Sequence, residues 1–183
     1  MTNDDMINDS QKVMAWLNNT FNNVNYWLSH AENKHGILLA GNVALFSVGI
    51  TTLETNVCVN FAYSLLLVAL IVSMLSFVPK LSRIFDLSSS LNDQNIASKN
   101  LYYFDDIADF TADQYIKAFY KNYFDIEIID AQISKKRMEI DLINEIITNS
   151  IICRRKHKSF KTSVVFSIIG YVFFVINFIS LIF

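Results

Sequence analysis

The chain has 183 residues, 52% of them hydrophobic, with four glycines, one proline and a formal net charge of −2. So little Gly and Pro excludes a turn-rich β architecture, and the slight acidity gives no support to a nucleic-acid partner. The two cysteines, Cys58 and Cys153, are too few for a disulfide framework, and His30, His35 and His157 fall at no metal-ligand spacing.

Residues 1–35 predict a cytoplasmic amphipathic helix. Ile7, Met14, Phe21 and Leu28 recur every seventh residue, Leu17, Val24 and Ala31 follow at an offset of three, and Asn18, Asn19, Asn22, Asn23 and Asn25 fill the other faces. That is a narrow apolar seam suited to packing against another helix. Its polar face lacks the Lys and Arg of a membrane-surface helix. The stretch 36–53 then carries no charge, nor does 55–79, and only Glu54 separates them. A span needs roughly 20 apolar residues to cross a core about 30 Å thick, so 36–79 predicts a transmembrane hairpin, with spans at about 36–53 and 57–79. About 35 mostly polar residues precede the first, which excludes a secretory signal peptide.

Residues 80–161 are charge-rich and predict a cytoplasmic helical region. The Ser-, Asn- and Asp-rich 81–95 stretch reads as loop or short helices. Asn100 to Ala108 carries Tyr102, Tyr103 and Phe104 in a row. Neighbouring side chains on a helix point about 100° apart, so at least one of these rings faces a cavity, a partner or solvent. Thr111 with Asp113 and Gln114 marks a helix start. From about residue 112 there is no Gly or Pro before 161, so a helix is expected to run unbroken into the last apolar stretch, 162–183. Phe119, Ile126, Ile133, Ile140 and Ile147 recur at sevens along it, with Ile129 and Ile143 offset by three and Lys136 and Ser150 interrupting that second row. The two heptad helices most simply pack together, within a protomer or across an oligomer.

Together these elements predict an all-α membrane protein with three transmembrane helices, an N-terminal hairpin plus a C-terminal span, and a helical cytoplasmic region. Lys80 and Arg83 follow the second span, and Arg154, Arg155, Lys156, Lys158 and Lys161 precede the third, whereas the Glu54 loop has no basic residue. Positive charge stays inside. The N-terminus and 80–161 are therefore cytoplasmic and the C-terminus lies on the far side. The 154–161 cluster is expected to meet anionic headgroups.

Several short motifs, in order, carry a family likeness. Ala31-Glu32-Asn33-Lys34 leads into Gly36-Ile37-Leu38-Leu39-Ala40-Gly41-Asn42; then come Val78-Pro79-Lys80, Asn100 to Ala108, Tyr115 and Gln132-Ile133. Over residues 24–183 the chain resembles the transmembrane effectors of Pycsar, a bacterial anti-phage system that signals with cyclic pyrimidine mononucleotides. The SLATT class of nucleotide-linked membrane effectors has a similar helical layout. The Pycsar resemblance implies a sensor for cyclic CMP or cyclic UMP, made by a partner cyclase, whose spans then damage the inner membrane and arrest growth, with homo-oligomerisation expected.

Such a ligand offers a flat ring, a Watson–Crick edge, a ribose hydroxyl and one phosphate. Aromatic, amide or carboxylate, and basic groups suit these. Tyr102, Tyr103 or Phe104 would stack, Asn100 or Asp106 would make polar contacts, and Lys34, Lys99 or Arg137 would meet phosphate. The plainer alternative makes Tyr103, Phe104 and Ile107 core, Asn100 a cap and Lys34 a snorkelling side chain. Asp105 reads as solvated surface. Within the spans, Asn42, Asn60 and Asn177 either line a pore or fasten an oligomer, or they are ordinary packing within one protomer, and Gly41 and Gly49 would allow close approach. The spans lack charged residues, which argues against a pump. No Gly-rich phosphate loop or nucleophile motif suggests an enzyme, and no cofactor or metal is implied. Two other readings stand beside this one: an effector gated by another (cyclic oligo)nucleotide, and a non-gated membrane scaffold.

Overall fold

Helix α1 (Asn3–Thr52) is a single 50-residue helix that joins the asparagine-rich amphipathic segment to the first apolar stretch. The computed structural model describes residues 3–52, 56–78, 98–133 and 136–182, with side chains at 11–50, 56–78, 98–130, 132–133 and 136–180. The Glu54 turn, Pro79, Lys80, Arg83 and the 81–95 stretch lie outside the described residues. After α1 come α2 (Val57–Phe77), α3 (Phe104–Ile107), α4 (Ala112–Phe124), α5 (Asp130–Ile133) and α6 (Arg137–Ile182), so every regular element among the described residues is helical. The chain divides into two compact units: Met1–Ser29 with Ser82–Arg154, and His30–Leu81 with Arg155–Phe183.

In the first unit the heptad segments pack together within one protomer. Val13, Leu17 and Val24 of α1 join Phe119 of α4 and Ile143, Ile146 and Ile147 of α6 in one apolar core, and Asn149 donates to Asn25 at 2.9 Å. The fully buried row on α1 is 13/17/20/24, whereas Met14, Phe21 and Leu28 flank it half-buried. Thr20 is tolerated there because its hydroxyl donates to the Trp16 carbonyl at 3.1 Å. Ser150 is buried with the core instead of breaking it.

The expected unbroken helix from residue 112 does not form. α4 starts at a capping box, in which Thr111 accepts from the Gln114 amide and the Gln114 side chain accepts from the Thr111 amide. It stops at Asp125, which takes a left-handed conformation (φ 54°) and caps the helix by donating its N–H to Tyr120 O. Asp tolerates that conformation better than most residues, and the run Ile126-Glu127-Ile128-Ile129 is β-branched and poor in helix propensity. Ile126 and Ile129 consequently leave the predicted seam and face solvent, 42% and 63% exposed. Glu139 is buried at the restart, held by Tyr120 Oη at 2.9 Å and Lys136 Nζ at 3.1 Å.

The second unit reverses the polarity of the first. α2 buries Val59, Ala62, Leu66, Ala69 and Ser73, a 3-4-3-4 spacing. α1 supplies His35, Asn42 and Gly49 at sevens, and α6 supplies Ser163, Ser167, Gly170 and Asn177. Large apolar side chains such as Ile37, Val48, Leu67, Ile168 and Phe178 instead point outward. α2 and α6 are both long and apolar enough to cross a membrane, with mean hydropathy 2.3 and 2.1 in their apolar windows. Gly49 and Gly170 do allow close approach: a Cβ would lie 3.0 Å from the Tyr63 hydroxyl at the first and 3.1 Å from Leu66 at the second. Gly41 does not, having nothing within 4 Å of the same position.

Candidate functional site

The turn from Lys99 to Asp109 is built by short-range hydrogen bonds. Asn100 Oδ1 accepts the Tyr102 amide at 2.8 Å, an Asx turn, and the Asn100 amide donates to Asp106 Oδ2 at 3.1 Å. Tyr115, fully buried on α4, donates its hydroxyl to Leu101 O at 2.7 Å, and Asn23 of α1 donates to Tyr102 O at 2.9 Å. Burial pushes the Tyr115 phenol far above its ordinary range, so it remains a donor.

This framework sorts the three adjacent aromatics. Phe104 is core, whereas Tyr102 and Tyr103 are 42% and 44% exposed. Tyr102 meets Trp16 of α1 edge-on at 6.0 Å, and Trp16 also touches Phe119 at 4.7 Å and Tyr123 at 5.3 Å. Tyr123 is 53% exposed. The result is a ring-walled surface with Trp16 linking the exposed faces of Tyr102 and Tyr123. Lys12 and Asn19, both exposed, lie four residues before and three after Trp16, on the same helix face.

An ion cluster ties the turn to α6. Lys99 Nζ lies 3.2 Å from Asp106 and 2.8 Å from Asp109, and Arg154 reaches Asp105 at 2.5 Å and Asp109 at 2.6 Å. Hydrogen bonds from Arg154, then from Lys99, hold the Asp109 carboxyl below its usual range, and the bonds to Asp109 and Asp106 raise Lys99. Asp105, read from sequence as solvated surface, is half-exposed but paired. Arg154, assigned to lipid headgroups by its position in the basic run, is used inside the protein. Lys156 is used likewise, 2.7 Å from Glu32 within the second unit.

The candidates Asn100, Tyr102, Tyr103, Phe104 and Asp106 thus share one turn with Lys99, while Lys34 belongs to the second unit and Arg137 opens α6 with its side chain exposed. Trp16, Asn23, Tyr123, Asp109 and Arg154 were not singled out as site residues by sequence reasoning. The Trp16, Asn19, Asn23 spacing was a usable signal for a shared stripe, but the proximity of Tyr102 and Tyr123 was not. In the second unit Asn42 donates to Ser167 Oγ at 2.9 Å and accepts from the Tyr171 hydroxyl, and Asn56 donates to Asn177 Oδ1. These amides pack within one protomer, and Asn60 is exposed. Among the described residues no group of three or more His, Cys, Asp or Glu could hold a metal ion.

A family model described as the Pycsar effector protein domain matches residues 16–182. No curated protein and no solved structure matches the chain.

Proposed function

The chain belongs to the Pycsar effector protein family, and from that membership we propose a membrane-anchored anti-phage effector that binds cyclic CMP or cyclic UMP and then breaches the inner membrane. A partner cyclase supplies the nucleotide, and the effector binds it without turning it over.

The observation that carries the membrane reading is the inverted polarity of the second unit. Ile37 is 75% exposed, Ile168 55% and Phe178 57%, while Asn42 and Asn177 are buried. In water that arrangement would expose far more apolar surface than a soluble unit tolerates; in lipid it is the expected one. The 36–52 part of α1 follows the same rule, with Val43, Val48 and Ile50 outward and Asn42 and Gly49 inward. At 1.5 Å per residue its 17 residues reach about 26 Å, the short end of the length range for a span, and we take it as the third. Exposed Arg155, Lys158 and Lys161 support a cytoplasmic first unit and N-terminus, since positive charge is retained on the inner side. The active species in this reading is a homo-oligomer.

The nucleotide's ring stacks on the Trp16, Tyr102, Tyr123 surface and Asn19 reads its edge. Lys99 and Arg154 are neutralised by three aspartates and are not offered to an anion in this state. Binding at Tyr102 moves the turn that Arg154 holds, and Arg154 lies on the helix that continues to Ile182.

The test is equilibrium dialysis of cyclic CMP, cyclic UMP and a panel of cyclic oligonucleotides against detergent-solubilised full-length protein. Binding of a pyrimidine mononucleotide supports the proposal, and selective binding of a cyclic oligonucleotide replaces the ligand. If nothing binds, the chain is a non-gated scaffold. Base stacking contributes about 1–3 kcal/mol, so Tyr102→Ala and Tyr123→Ala are expected to weaken binding about 5- to 150-fold. Phe104→Ala is uninformative because it empties the core.

A further inference from the structure

We propose that the buried polar seam of the second unit is the wall of an aqueous path, so that activation conducts small hydrated ions along Ser73, Ser163, Ser167, Asn42 and Asn177. This rests on the proposed nucleotide-gated function for its trigger, and it specifies how the membrane is breached.

The seam is polar in successive layers. His35, fully buried, donates Nε2–H to the Lys156 carbonyl at 3.0 Å, since a carbonyl can only accept. Ser73 meets Ser163 at 2.7 Å, with Ser163 donating onward to Ala69 O at 2.7 Å. Asn42 with Ser167, then Asn56 with Asn177, continue the series. Helix–helix adhesion accounts for these pairs. It does not account for three atoms. Among the described residues, His35 Nδ1, the Tyr63 hydroxyl and Asn177 Nδ2 are buried without any hydrogen-bond partner, and Asn177 is 4% exposed. Hydrocarbon offers such atoms nothing, and leaving them orphaned is costly. Water in an opened state satisfies all three. The same opening would give Asn42 and the seam serines water in place of one another, while the apolar outer faces remain on lipid.

Among the described residues no Asp, Glu, Lys or Arg is buried in the seam, so its wall is neutral and discriminates weakly by charge. Lipid disorder, the competing mechanism, would not depend on which face of a helix a residue occupies. Ser167 and Ile168 separate the two: they are adjacent on α6, the first 1% exposed in the seam and the second 55% exposed on the outer face.

The experiment uses full-length protein in phosphatidylethanolamine/phosphatidylglycerol vesicles, with Cys58→Ala and Cys153→Ala as background. A second background retains Cys153, which is fully buried. Ser167→Cys and Ile168→Cys are exposed to membrane-impermeant cationic and anionic thiol reagents, with and without cyclic CMP or cyclic UMP, while ion leak is recorded. The expected result is labelling at 167 that rises about tenfold or more with nucleotide, following the shift in open population, and no rise at 168. Cationic and anionic adducts at 167 then bias the leak toward anions and cations respectively. Leak with 167 unlabelled, or with 167 and 168 labelled alike, overturns the aqueous path and leaves the proposed function standing. Absence of both nucleotide binding and leak overturns the proposed function, and the path with it.

Discussion

Replacing Tyr115 by Phe removes one oxygen atom from the core of the first unit. The side chain is fully buried, and its hydroxyl donates to the Leu101 carbonyl at 2.7 Å, at the root of the turn that presents Tyr102. The ring still fills its space, so no cavity term arises. The loss is one hydrogen bond plus the desolvation of a carbonyl left without its donor, about 1–2 kcal/mol in all. Trp16 and Trp27 are the only tryptophans in the chain, and both pack against the core of this unit, so intrinsic fluorescence reports its unfolding selectively. With a urea m-value of about 1–3 kcal/mol per M, the midpoint should fall by about 0.3–2 M. The bond also fixes the turn, so affinity for the nucleotide should fall as well. Thr111→Ala is the matched control: losing the capping box costs about 1 kcal/mol in the same unit without touching the Leu101 carbonyl. Both variants should lower the midpoint and only Tyr115→Phe should weaken binding. An unchanged midpoint in Tyr115→Phe would refute the hydrogen-bond argument, and equal loss of binding in both variants would refute the claim that the turn forms the site.

Asn42→Leu removes bonds to Ser167 and Tyr171, together about 1–3 kcal/mol of helix association; nucleotide binding should persist while leak falls, and unaltered leak would make Asn42 a packing residue only. Gly41→Ala should stabilise α1 by about 0.5–1 kcal/mol, because nothing lies within 4 Å of the new methyl. Gly170→Ala, whose Cβ meets Leu66 at 3.1 Å and the Ala62 carbonyl at 3.4 Å, should cost about 1–3 kcal/mol; thermal melts of opposite sign check the pair, and equal stabilisation would contradict the close approach. The Asp109 carboxyl is held low by Arg154 and Lys99, so its contribution is present above its unfolded pKa near 4 and lost as pH falls through the folded value. Fluorescence-monitored unfolding of the wild type should weaken below about pH 4 more than that of Asp109→Asn, and identical acid sensitivity would exclude the pairing.

Local signals in the sequence were dependable where short-range chemistry decides. Thr111 with Asp113 and Gln114 announced a helix start, and three adjacent aromatics announced that not all could be core. Periodicity located the heptad stripe on α1 but centred it one position off, because the buried midline depends on which helix lies opposite. It also carried the second stripe through Ile126 and Ile129, where a left-handed Asp125 ends the helix without any Gly or Pro to mark it. Basic residues at 154 and 156 looked like headgroup contacts because their acidic partners, Asp105, Asp109 and Glu32, are distant in sequence.

By itself the sequence determined an all-helical chain with uncharged stretches long enough to span a bilayer, since hydropathy and the scarcity of Gly and Pro act residue by residue. The family likeness was also legible there, through ordered short motifs. Only the tertiary structure decided which faces those helices turn inward. It brought Trp16 against Tyr102 and Tyr123, closed Asp109 between Lys99 and Arg154, and assembled the polar seam from His35, Asn42, Ser73, Ser163 and Asn177. Each of these juxtapositions joins residues far apart along the chain, and side-chain complementarity across such distances is set by packing, which no local pattern encodes.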